Sequence, residues 1–486
     1  MKRLAAALTL GAATALTLLP HAAAGGQERP GPSVVAGARK LPDVSFARRA
    51  KRGCDRYVST AGDDANSGRN ARDAWRTIGM ALRTLRAGQV GCVLPGVYEE
   101  GHNEAGHDGT ADAPIVLRRA PGSAAMPVVK PKGPAAVFHI DRDYWVLDGF
   151  DVDVNFQKVT GVRFMENAAH GVLRNSRVHN STSGASVYIS GRDILVEGCE
   201  IFNNFQTNGQ DSHGVAVVQS AARVMVRRSR IWDNGGDGIQ CEDYADAPAN
   251  PEDVTLEDNL IYTTPANMGR TENAVDIKSC RFVTVRGSAR ARNSFYGFAL
   301  KPTARGEAVV VHYNARHVLV ENTTMRDACR GLSVGRGEDR STLVENLVVR
   351  GNLIEDLRQG QNCDGDAILI SRAHHLDVYA NTLRNIPRAA FRAGVNNSTG
   401  VPDRDIDFWG NRVGPAARWL NLGVGAGQLE AFASDRNLFV GDTEDAAKFY
   451  LNGKLGSFRE WRRMSGTAPV LVADPRGRVR RAPSQR

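Results

Sequence analysis

The sequence is poor in aromatic residues and in long apolar runs. Phe, Trp and Tyr together make up 7% of the 486 residues, while Gly occurs 50 times. This composition is typical of many tight turns rather than of one large globular core. Beyond the apolar run at residues 4–19, no stretch approaches the about 20 apolar residues that a membrane-spanning helix needs. The sequence therefore does not predict a membrane protein.

Cysteine is also scarce, and its seven positions lack the paired spacing of a zinc site. Cys54 and Cys92 open two strands that are expected to be neighbours, so we predict a disulfide between them. Cys329 and Cys363 are about one repeat apart and form a second candidate pair. The pairing of the other three cysteines is left open, and an odd count leaves at least one thiol free.

The N-terminus has the pattern of a secretory signal. Met1-Lys2-Arg3 precedes the apolar run at residues 4–19, and Ala22-Ala23-Ala24 has the small side chains of a cleavage site. We therefore expect a secreted protein, extracellular or periplasmic. The formal net charge of +9 then predicts a polyanionic partner such as an acidic polysaccharide rather than nucleic acid.

Seven short apolar segments repeat at close to thirty-residue spacing. They begin at Ile194, Val224, Val254, Val283, Val318, Leu347 and Leu376. The steps between them are 30, 30, 29, 35, 29 and 29 residues. One such repeat cannot bury its own apolar face, whereas a stack of repeats can. Because the segments are short and alternate with period two, the pattern predicts a solenoid built of strands.

We therefore predict an all-β fold, a single-stranded right-handed parallel β-helix with a short N-terminal helical cap that begins after Thr77. The predicted parts are a signal peptide at 1–24, a flexible leader at 25–50, the β-helix at 51–420, and a C-terminal closing segment with a basic tail at 421–486. Asn259, Asn352 and Asn381 are expected at equivalent turns of successive coils.

The second strands of the middle coils can be aligned on their small apolar residues. The alignment places residues 213–218, 237–242, 273–278 and 296–301 above one another. With period-two alternation, the outward columns contain Ala216, Gln240, Asp276 and Ala299, and then Val218, Glu242, Lys278 and Lys301.

Charge concentrates on the outward face of these middle coils. Glu242, Asp276, Lys278 and Lys301 share this face, and Asp211, Asp237 and Glu272 lie at its turns. The corresponding positions of other coils are small or neutral. The simplest alternative is a solvated face with cross-strand ion pairs, such as Glu242 beside Lys278. His213, at a strand start, is expected to have a structural role at a turn.

Such a cluster suits elimination on a uronic acid. The proton at C5 becomes acidic only when the neighbouring carboxylate is neutralised by a cation. A lysine of lowered pKa can then remove that proton. We predict Lys278 and Lys301 as base and substrate clamp, each lowering the pKa of the other. The candidate ligands for a divalent cation are the carboxylates Asp211, Asp237, Glu242, Glu272 and Asp276.

Three motifs carry a resemblance to a known family. Asp211-Ser-His-Gly-Val-Ala, Asn234-Gly-Gly-Asp237-Gly-Ile-Gln and Val254-Thr-Leu-Glu-Asp-Asn-Leu-Ile-Tyr262 resemble the family-nine polysaccharide lyases, which are pectate-lyase-like β-helices. The resemblance implies a calcium site that uses Asp211 and Asp237, and a lysine base about one coil later. Gly236 and Gln240 stand where two further family aspartates are expected.

A second, more distant resemblance involves the lysines. Lys278-Ser279 with Lys301 downstream is similar to the chondroitinase-B and alginate-lyase group, which pairs a lysine with an arginine beside an acidic calcium site. Compared with the family-nine enzymes, Asp276 stands in the column where their lysine base is expected, and Lys278 lies two residues further along the chain. Both resemblances imply calcium as the cofactor.

The expected function is a secreted polysaccharide lyase that cleaves a uronic-acid-containing polysaccharide by β-elimination. Proton removal followed by reprotonation from the other side would instead make a C5-epimerase. A β-helix glycoside hydrolase is a further alternative, with Asp237 and Asp276 as its carboxylate pair. A non-catalytic glycan-binding surface protein is the last. The protein is expected to act as a monomer.

Overall fold

The computed structural model describes residues 36–48, 53–101, 103–206, 209–242, 250–301, 304–335, 343–360, 363–394, 401–425, 428–466 and 471–480. The predicted signal peptide lies outside the described residues.

The chain winds through three long sheets in which each strand pairs with the strand one coil away. Sheet A has 15 strands: β1 (Arg56–Val58), β2 (Val90–Val93), β4 (Ile115–Arg119), β7 (Trp145–Asp148), β10 (Ala169–Arg174), β13 (Arg192–Glu197), β16 (Ala222–Arg227), β19 (Glu252–Glu257), β22 (Arg281–Arg286), β25 (Arg316–Glu321), β28 (Val344–Arg350), β31 (Ala373–Tyr379), β34 (Arg404–Trp409), β37 (Phe432–Asp435) and β41 (Leu471–Ala473). Sheet B has 14 strands: β3 (Val97–Glu100), β5 (Val128–Pro131), β8 (Asp151–Asp153), β11 (Arg177–His179), β14 (Glu200–Asn204), β17 (Arg230–Asn234), β20 (Leu260–Tyr262), β23 (Asn293–Tyr296), β26 (Thr323–Arg326), β29 (Leu353–Glu355), β32 (Thr382–Arg384), β35 (Arg412–Val413), β38 (Leu438–Val440) and β42 (Arg478–Arg480). Sheet C has 13 strands: β6 (Phe138–Ile140), β9 (Val162–Phe164), β12 (Ala185–Ile189), β15 (His213–Val218), β18 (Ile239–Glu242), β21 (Val275–Lys278), β24 (Glu307–His312), β27 (Arg330–Val334), β30 (Asp366–Ile370), β33 (Ile386–Ala393), β36 (Ala416–Leu422), β39 (Phe449–Leu451) and β40 (Lys454–Gly456).

Strand pairing is parallel from coil to coil, apart from the short antiparallel hairpin β39–β40. Inward side chains from all three sheets fill the interior, where Val254, Val275 and Ile277 have no exposed surface. Each coil contributes one strand to each sheet in turn, which is the arrangement that the thirty-residue period predicts. The parallel β-helix is confirmed.

Helices are few in the described residues. They are the α-helices α1 (Ile78–Thr84) and α2 (Phe458–Arg463) and the 3₁₀ turns Ser45–Arg48, Ala71–Asp73 and Pro265–Asn267. The hydroxyl of Thr77 accepts a hydrogen bond from Met80 N at 3.0 Å, which satisfies an amide at the start of α1. The predicted N-terminal cap is therefore confirmed. None of the described helices has the length and apolar character of a membrane span.

The predicted asparagine turns form a buried ladder between sheets A and B. The side-chain nitrogens of Asn259, Asn352 and Asn381 donate to backbone carbonyls at 2.8, 2.9 and 2.9 Å in the same geometry. Because a buried amide without a partner is costly, each rung fixes the turn of its coil. The ladder continues through Asn411 to Asn437.

The described part of the predicted leader, residues 36–48, is packed rather than flexible. It lies across the outer face of sheet A, where Ala38 N donates to Thr284 Oγ1 at 2.8 Å. Phe46 is buried, and its ring packs edge-on against Tyr144 at 5.3 Å between centroids. Sequence periodicity carries no signal for such a segment, because its partners, such as Thr284, lie on strands far along the chain.

The coils also continue past the predicted boundary at residue 420. Sheet A extends to β41 and sheet B to β42, so the predicted basic tail contributes a paired strand. Phe458 and Trp461 of α2 are buried against the last coil and close its open end. The weaker sequence period after Gly414 reflects shorter strands rather than the end of the solenoid.

Three disulfides connect successive coils. Cys54–Cys92 and Cys329–Cys363 are confirmed, and Cys241–Cys280 is a pair that spacing did not predict. Cys199 is free, and burial raises the pKa of its thiol to about 12, which makes it unreactive. Three disulfides are typical of a protein from an oxidising compartment, extracellular or periplasmic.

Two carboxylates face each other on sheet A, and from them we predict that the stability of the protein depends on pH. Asp377 and Asp407 are register partners in β31 and β34. Burial, together with the charge of Asp407, raises the pKa of Asp377 to about 6, whereas an unfolded aspartate titrates near 3.9. Between about pH 4 and 6 the folded protein therefore binds more protons than the unfolded chain does. Its stability falls as the pH rises through this window.

We expect Asp377→Asn to raise the melting temperature at pH 7–8 and to leave it unchanged near pH 4. After allowance for partial solvent screening the gain is on the order of 1 kcal/mol. Thermal melts across pH 4–8 measure it, with Asp405→Asn, a partly exposed carboxylate on the neighbouring strand β34, as the control. Equal shifts at both ends of the pH range would contradict this assignment.

Candidate active site on the outward face of sheet C

The predicted charged columns exist in the middle coils of sheet C. Gln240 pairs with Asp276 and Glu242 pairs with Lys278 across β18 and β21. Cys241 and Ile277 between them point inward, and Cys241 forms its disulfide with Cys280 directly after β21. Alternation therefore presents the two carboxylates and Lys278 on one outward face.

The predicted position of Lys301 is wrong. The next strand of sheet C is β24, in which His312 pairs with Lys278 and Val310 pairs with Asp276. Lys301 lies in the loop between β23 and β24, where its backbone pairs with Ala304. The column therefore continues from a lysine to a histidine, not to a second lysine.

His312 is the residue that the sequence alignment missed. Its Nε2 lies 2.7 Å from Asp276 Oδ1, and both side chains are largely buried. The ring of Tyr313 packs against the imidazole at 4.4 Å between centroids. The alternating pattern Val309-Val310-Val311-His312 was the available signal, because it puts His312 on the outward face.

Gln240 connects the histidine at the other edge of the site to the charged column. With the amide turned so that its donor and acceptor suit their neighbours, the oxygen accepts from Lys278 Nζ at 2.8 Å. The nitrogen then donates to Glu242 Oε2 at 2.8 Å and approaches His213 Nε2 at 3.1 Å. His213 Nδ1 lies 3.3 Å from Asp237 Oδ2. His213 therefore belongs to the polar network, in addition to the structural role predicted for it.

The electrostatics of Lys278 differ from the prediction. Burial alone would lower the pKa of its ammonium, but the charges of Asp276, Asp237 and Glu242 outweigh burial and hold the pKa above its ordinary value. Its nitrogen lies 3.5 Å from Asp276 Oδ2 and 3.8 Å from Glu242 Oε1. Lys278 is therefore a cation at neutral pH, with no second lysine to lower its pKa.

The two outward carboxylates have opposite pKa shifts. Burial raises the pKa of Glu242, and the charge of Lys278 offsets only part of this effect. For Asp276, burial is outweighed by the charge and hydrogen bond of His312 and by Lys278, so its pKa lies below the ordinary value. Asp276 is accordingly the permanent anion of the site.

Lys301 joins the carboxylates at the turn side of the site. Its Nζ donates to Asp211 Oδ1 at 2.8 Å, to the Gly235 carbonyl at 2.7 Å and to Glu272 Oε1 at 3.3 Å. Burial opposes its charge, but these two carboxylates raise the pKa of Lys301. Its buried ammonium thus stabilises the turn beneath the site.

The carboxylates predicted as metal ligands do not converge on a common point in the described residues. Asp211 and Glu272 contact Lys301, Asp276 contacts His312, and Asp237 Oδ1 accepts from Asn273 Nδ2 at 2.9 Å. No group of three or more His, Cys, Asp or Glu suited to a metal occurs in that part of the chain. A hard cation needs several oxygens directed at it, so this arrangement does not fit calcium.

Calcium dependence stays a prediction of the sequence, and a chelator tests it. Because Lys278 already supplies a positive charge on this face, we expect EDTA to leave turnover within about twofold of the untreated protein. Assays with EDTA, and with calcium restored in excess, measure the effect. Loss of activity that calcium alone restores would show that an ion supplies the charge instead.

Comparison with known proteins agrees with the fold. A family model described as "Right handed beta helix region" matches residues 152–305. No curated protein matches the sequence. Among solved structures, the chain is similar to the alginate lyase AlyF-OU02 in complex with G6, with 13% identity over 91% of this chain and 99% of that chain and a TM-score of 0.50.

Two further solved structures are similar to the chain at lower TM-scores. The mannuronan C-5 epimerase AlgE6 A-module of Azotobacter vinelandii is 14% identical over 82% of this chain and 92% of its own, with a TM-score of 0.49. The pectate lyase Pel9A is 17% identical over 65% and 77%, with a TM-score of 0.43. These two likenesses carry no argument about function. The family model, together with the three parallel sheets of the structure, confirms the predicted right-handed parallel β-helix.

Proposed function

We propose that the protein is a polysaccharide lyase that cleaves a uronic-acid-containing polysaccharide by β-elimination on the outward face of sheet C. One observation carries the proposal: the Lys278 ammonium lies on the same face as a histidine held by a carboxylate, His312 and Asp276. β-Elimination needs both a cation for the substrate carboxylate and a base for the neighbouring proton.

Lys278 is suited to the cation rather than to the base. The carboxylates around it keep its pKa high, so its nitrogen carries no lone pair at neutral pH. An ammonium beside the uronate carboxylate stabilises the enolate-like anion that forms when the C5 proton leaves. Gln240, whose oxygen accepts from Lys278, orients the ammonium toward the face.

His312 is suited to the base. When the ring is neutral, its Nε2–H donates to Asp276 and its lone pair is on Nδ1. Asp276 stabilises the imidazolium that forms when Nδ1 takes a proton. In the proposed reaction Nδ1 takes the C5 proton, the C4–C5 double bond forms and the C4–O4 bond breaks. The imidazolium then returns its proton to O4, which leaves as the new chain end.

The predicted roles of the remaining residues change accordingly. Lys301 holds Asp211 and Glu272 in place beneath the site instead of clamping substrate. Asp237 supports the turn through Asn273 and His213. The expected substrate stays an acidic polysaccharide, because the Lys278 ammonium on a face built from many coils can bind a carboxylate of an extended chain.

The test is a product assay on polygalacturonate, alginate and glycosaminoglycans. A lyase produces the ultraviolet absorbance of an unsaturated uronate in step with new reducing ends. Reducing ends without that absorbance would contradict β-elimination. No product from any uronic-acid polymer, with a protein that melts cooperatively, would contradict the proposed function as a whole.

Hydrolysis is the second candidate, and the opposite pKa shifts of Glu242 and Asp276 favour it. Divergent pKa values in a carboxylate pair are typical of an acid and its partner. Both contact Lys278 Nζ within 4 Å, which agrees with the roughly 5–10 Å separation of glycosidase carboxylates. The same product assay separates the two reactions, since hydrolysis makes no double bond.

A further inference from the structure

The face of sheet C continues beyond the candidate site as a nearly neutral floor. In the column of Asp276, the next register partners are Val310, Ser333 and Leu369. All three side chains are buried or nearly so. The next partner is Arg392 in β33. At about 4.8 Å per strand, Arg392 lies roughly 19 Å from Asp276 along the same column.

Arg392 is one of three neighbouring arginines, here called the arginine cluster: Arg388, Arg392 and Arg418. Arg392 Nη1 lies 3.1 Å from Asp366 Oδ2, and its side chain is only 8% exposed. Its Nε is buried without a hydrogen-bond partner in the described residues. The guanidinium at the floor of the face thus has a buried donor without a partner, next to the nitrogen that contacts Asp366.

Arg418 completes the cluster from the neighbouring strand β36. Its guanidinium stacks on the ring of Tyr450, 4.2 Å from the ring centroid, and the described residues contain no ion-pair partner for it. Tyr450 itself continues the outward column after Arg392 and Asn421. Stacking fixes the plane of the guanidinium and leaves its edge free for a carboxylate.

The surrounding charges do not neutralise the cluster. Arg388 contacts Asp364 at 2.9 Å and Asp366 at 3.6 Å. Asp364 also pairs with Arg330, whose other partner is Glu307, so three carboxylates face the four arginines Arg330, Arg388, Arg392 and Arg418. Burial together with the charges of Arg388 and Arg418 lowers the pKa of Arg392, although Asp366 opposes this. Such repulsion among guanidinium groups is relieved when an anion binds between them.

We propose that the arginine cluster is a carboxylate-binding subsite for an acidic polysaccharide whose cleaved residue lies at Lys278. The inference rests on the proposed function, since it takes the same polymer as ligand. The polymer runs along the sheet C column, over the neutral floor, and a second uronate binds Arg392 and Arg418. The subsite contributes affinity for long acidic chains and takes no part in bond breakage.

Affinity electrophoresis tests the subsite independently of catalysis. Lys278→Met serves as the parent so that the polymer is not cut, and gels contain polygalacturonate, alginate or a neutral glucan. We expect Arg418→Ala and Arg392→Ala each to weaken retardation by an acidic polymer roughly tenfold in Kd. Retardation by the neutral glucan does not change, and the loss shrinks as salt is raised.

Arg326→Ala is the matched control, because Arg326 stacks on Tyr296 at 4.3 Å on sheet B. Arg392→Ala leaves the buried Asp366 with only its longer contact to Arg388, at 3.6 Å. Arg418→Ala therefore decides the outcome if the Arg392→Ala protein melts early. Unchanged binding of acidic polymer by a folded Arg418→Ala, or an equal loss in Arg326→Ala, would overturn the proposal. Because binding is measured without turnover, an absent lyase activity would leave this result interpretable.

Discussion

Lys278→Met is expected to lower kcat roughly 10²- to 10³-fold on a uronic-acid polymer, as for loss of one electrostatic contact to a developing anion. Methionine keeps the length of the side chain but removes the charge that neutralises the substrate carboxylate. Lys278→Arg keeps the charge and should retain more activity. Initial rates from product absorbance, over a range of polymer concentrations, measure both variants.

Stability provides the control for this experiment. The Lys278 side chain is 22% exposed, and Asp276 keeps His312 as its partner when the lysine is removed. We therefore expect Lys278→Met to melt near the wild type. Lys301→Met, by contrast, removes a buried ammonium from two carboxylates and should melt earlier. Wild-type turnover in Lys278→Met would place the site elsewhere on the solenoid.

The sequence predicted the fold and the register of three aligned segments of sheet C correctly. In these segments both the alternation of apolar residues and the repeat period are regular. Three strands of sheet C, each after a short turn, lie within residues 213–218, 237–242 and 273–278. The inward Val215, Ile239 and Val275 therefore appear at constant offsets. Their register in β15, β18 and β21 agrees with the alignment.

The alignment was wrong for its fourth segment, residues 296–301, because a loop there has the alternating sequence pattern of a strand. Phe298 and Leu300 alternate with small residues, and Phe298 is buried, yet residues 297–301 and 304–306 lie outside the sheets. The 35-residue step was the available signal, since the extra residues had to leave the solenoid before β24. At Gly306, φ is +76° and a Cβ would lie 2.5 Å from the Ala299 backbone, so the loop needs glycine there.

The third disulfide and the pKa of Lys278 could not be predicted from the sequence for a different reason. Cys241 is inside β18 while Cys280 follows β21, so neither spacing nor strand position identifies the pair. The pKa of Lys278 depends on distances to Asp237, Glu242 and Asp276, which belong to three different coil positions. A sequence gives the residues of such a site, but the balance of burial and charge needs coordinates.

His312→Gln is the second decisive variant, with an expected fall in kcat of roughly 10²- to 10⁴-fold, as for loss of a positioned general base. Glutamine can still donate to Asp276, so the hydrogen bond and the packing against Tyr313 are largely kept. Because the effect is on proton removal, KM for the polymer should change much less than kcat. Steady-state kinetics across pH measure both parameters and show whether the variant loses the titration of a base.

The chain contains a matched control for this variant. His179 on sheet B has its Nε2 2.7 Å from Asp151 Oδ1, the same distance as between His312 and Asp276. His179→Gln therefore removes an equivalent histidine–aspartate pair from a face that has no proposed role in the reaction, and it should keep wild-type kcat. If both variants lose activity equally, the histidines act through the fold. If His312→Gln keeps its turnover while it melts like the wild type, His312 is not the base, and the hydrolytic pair Glu242 and Asp276 becomes the better assignment.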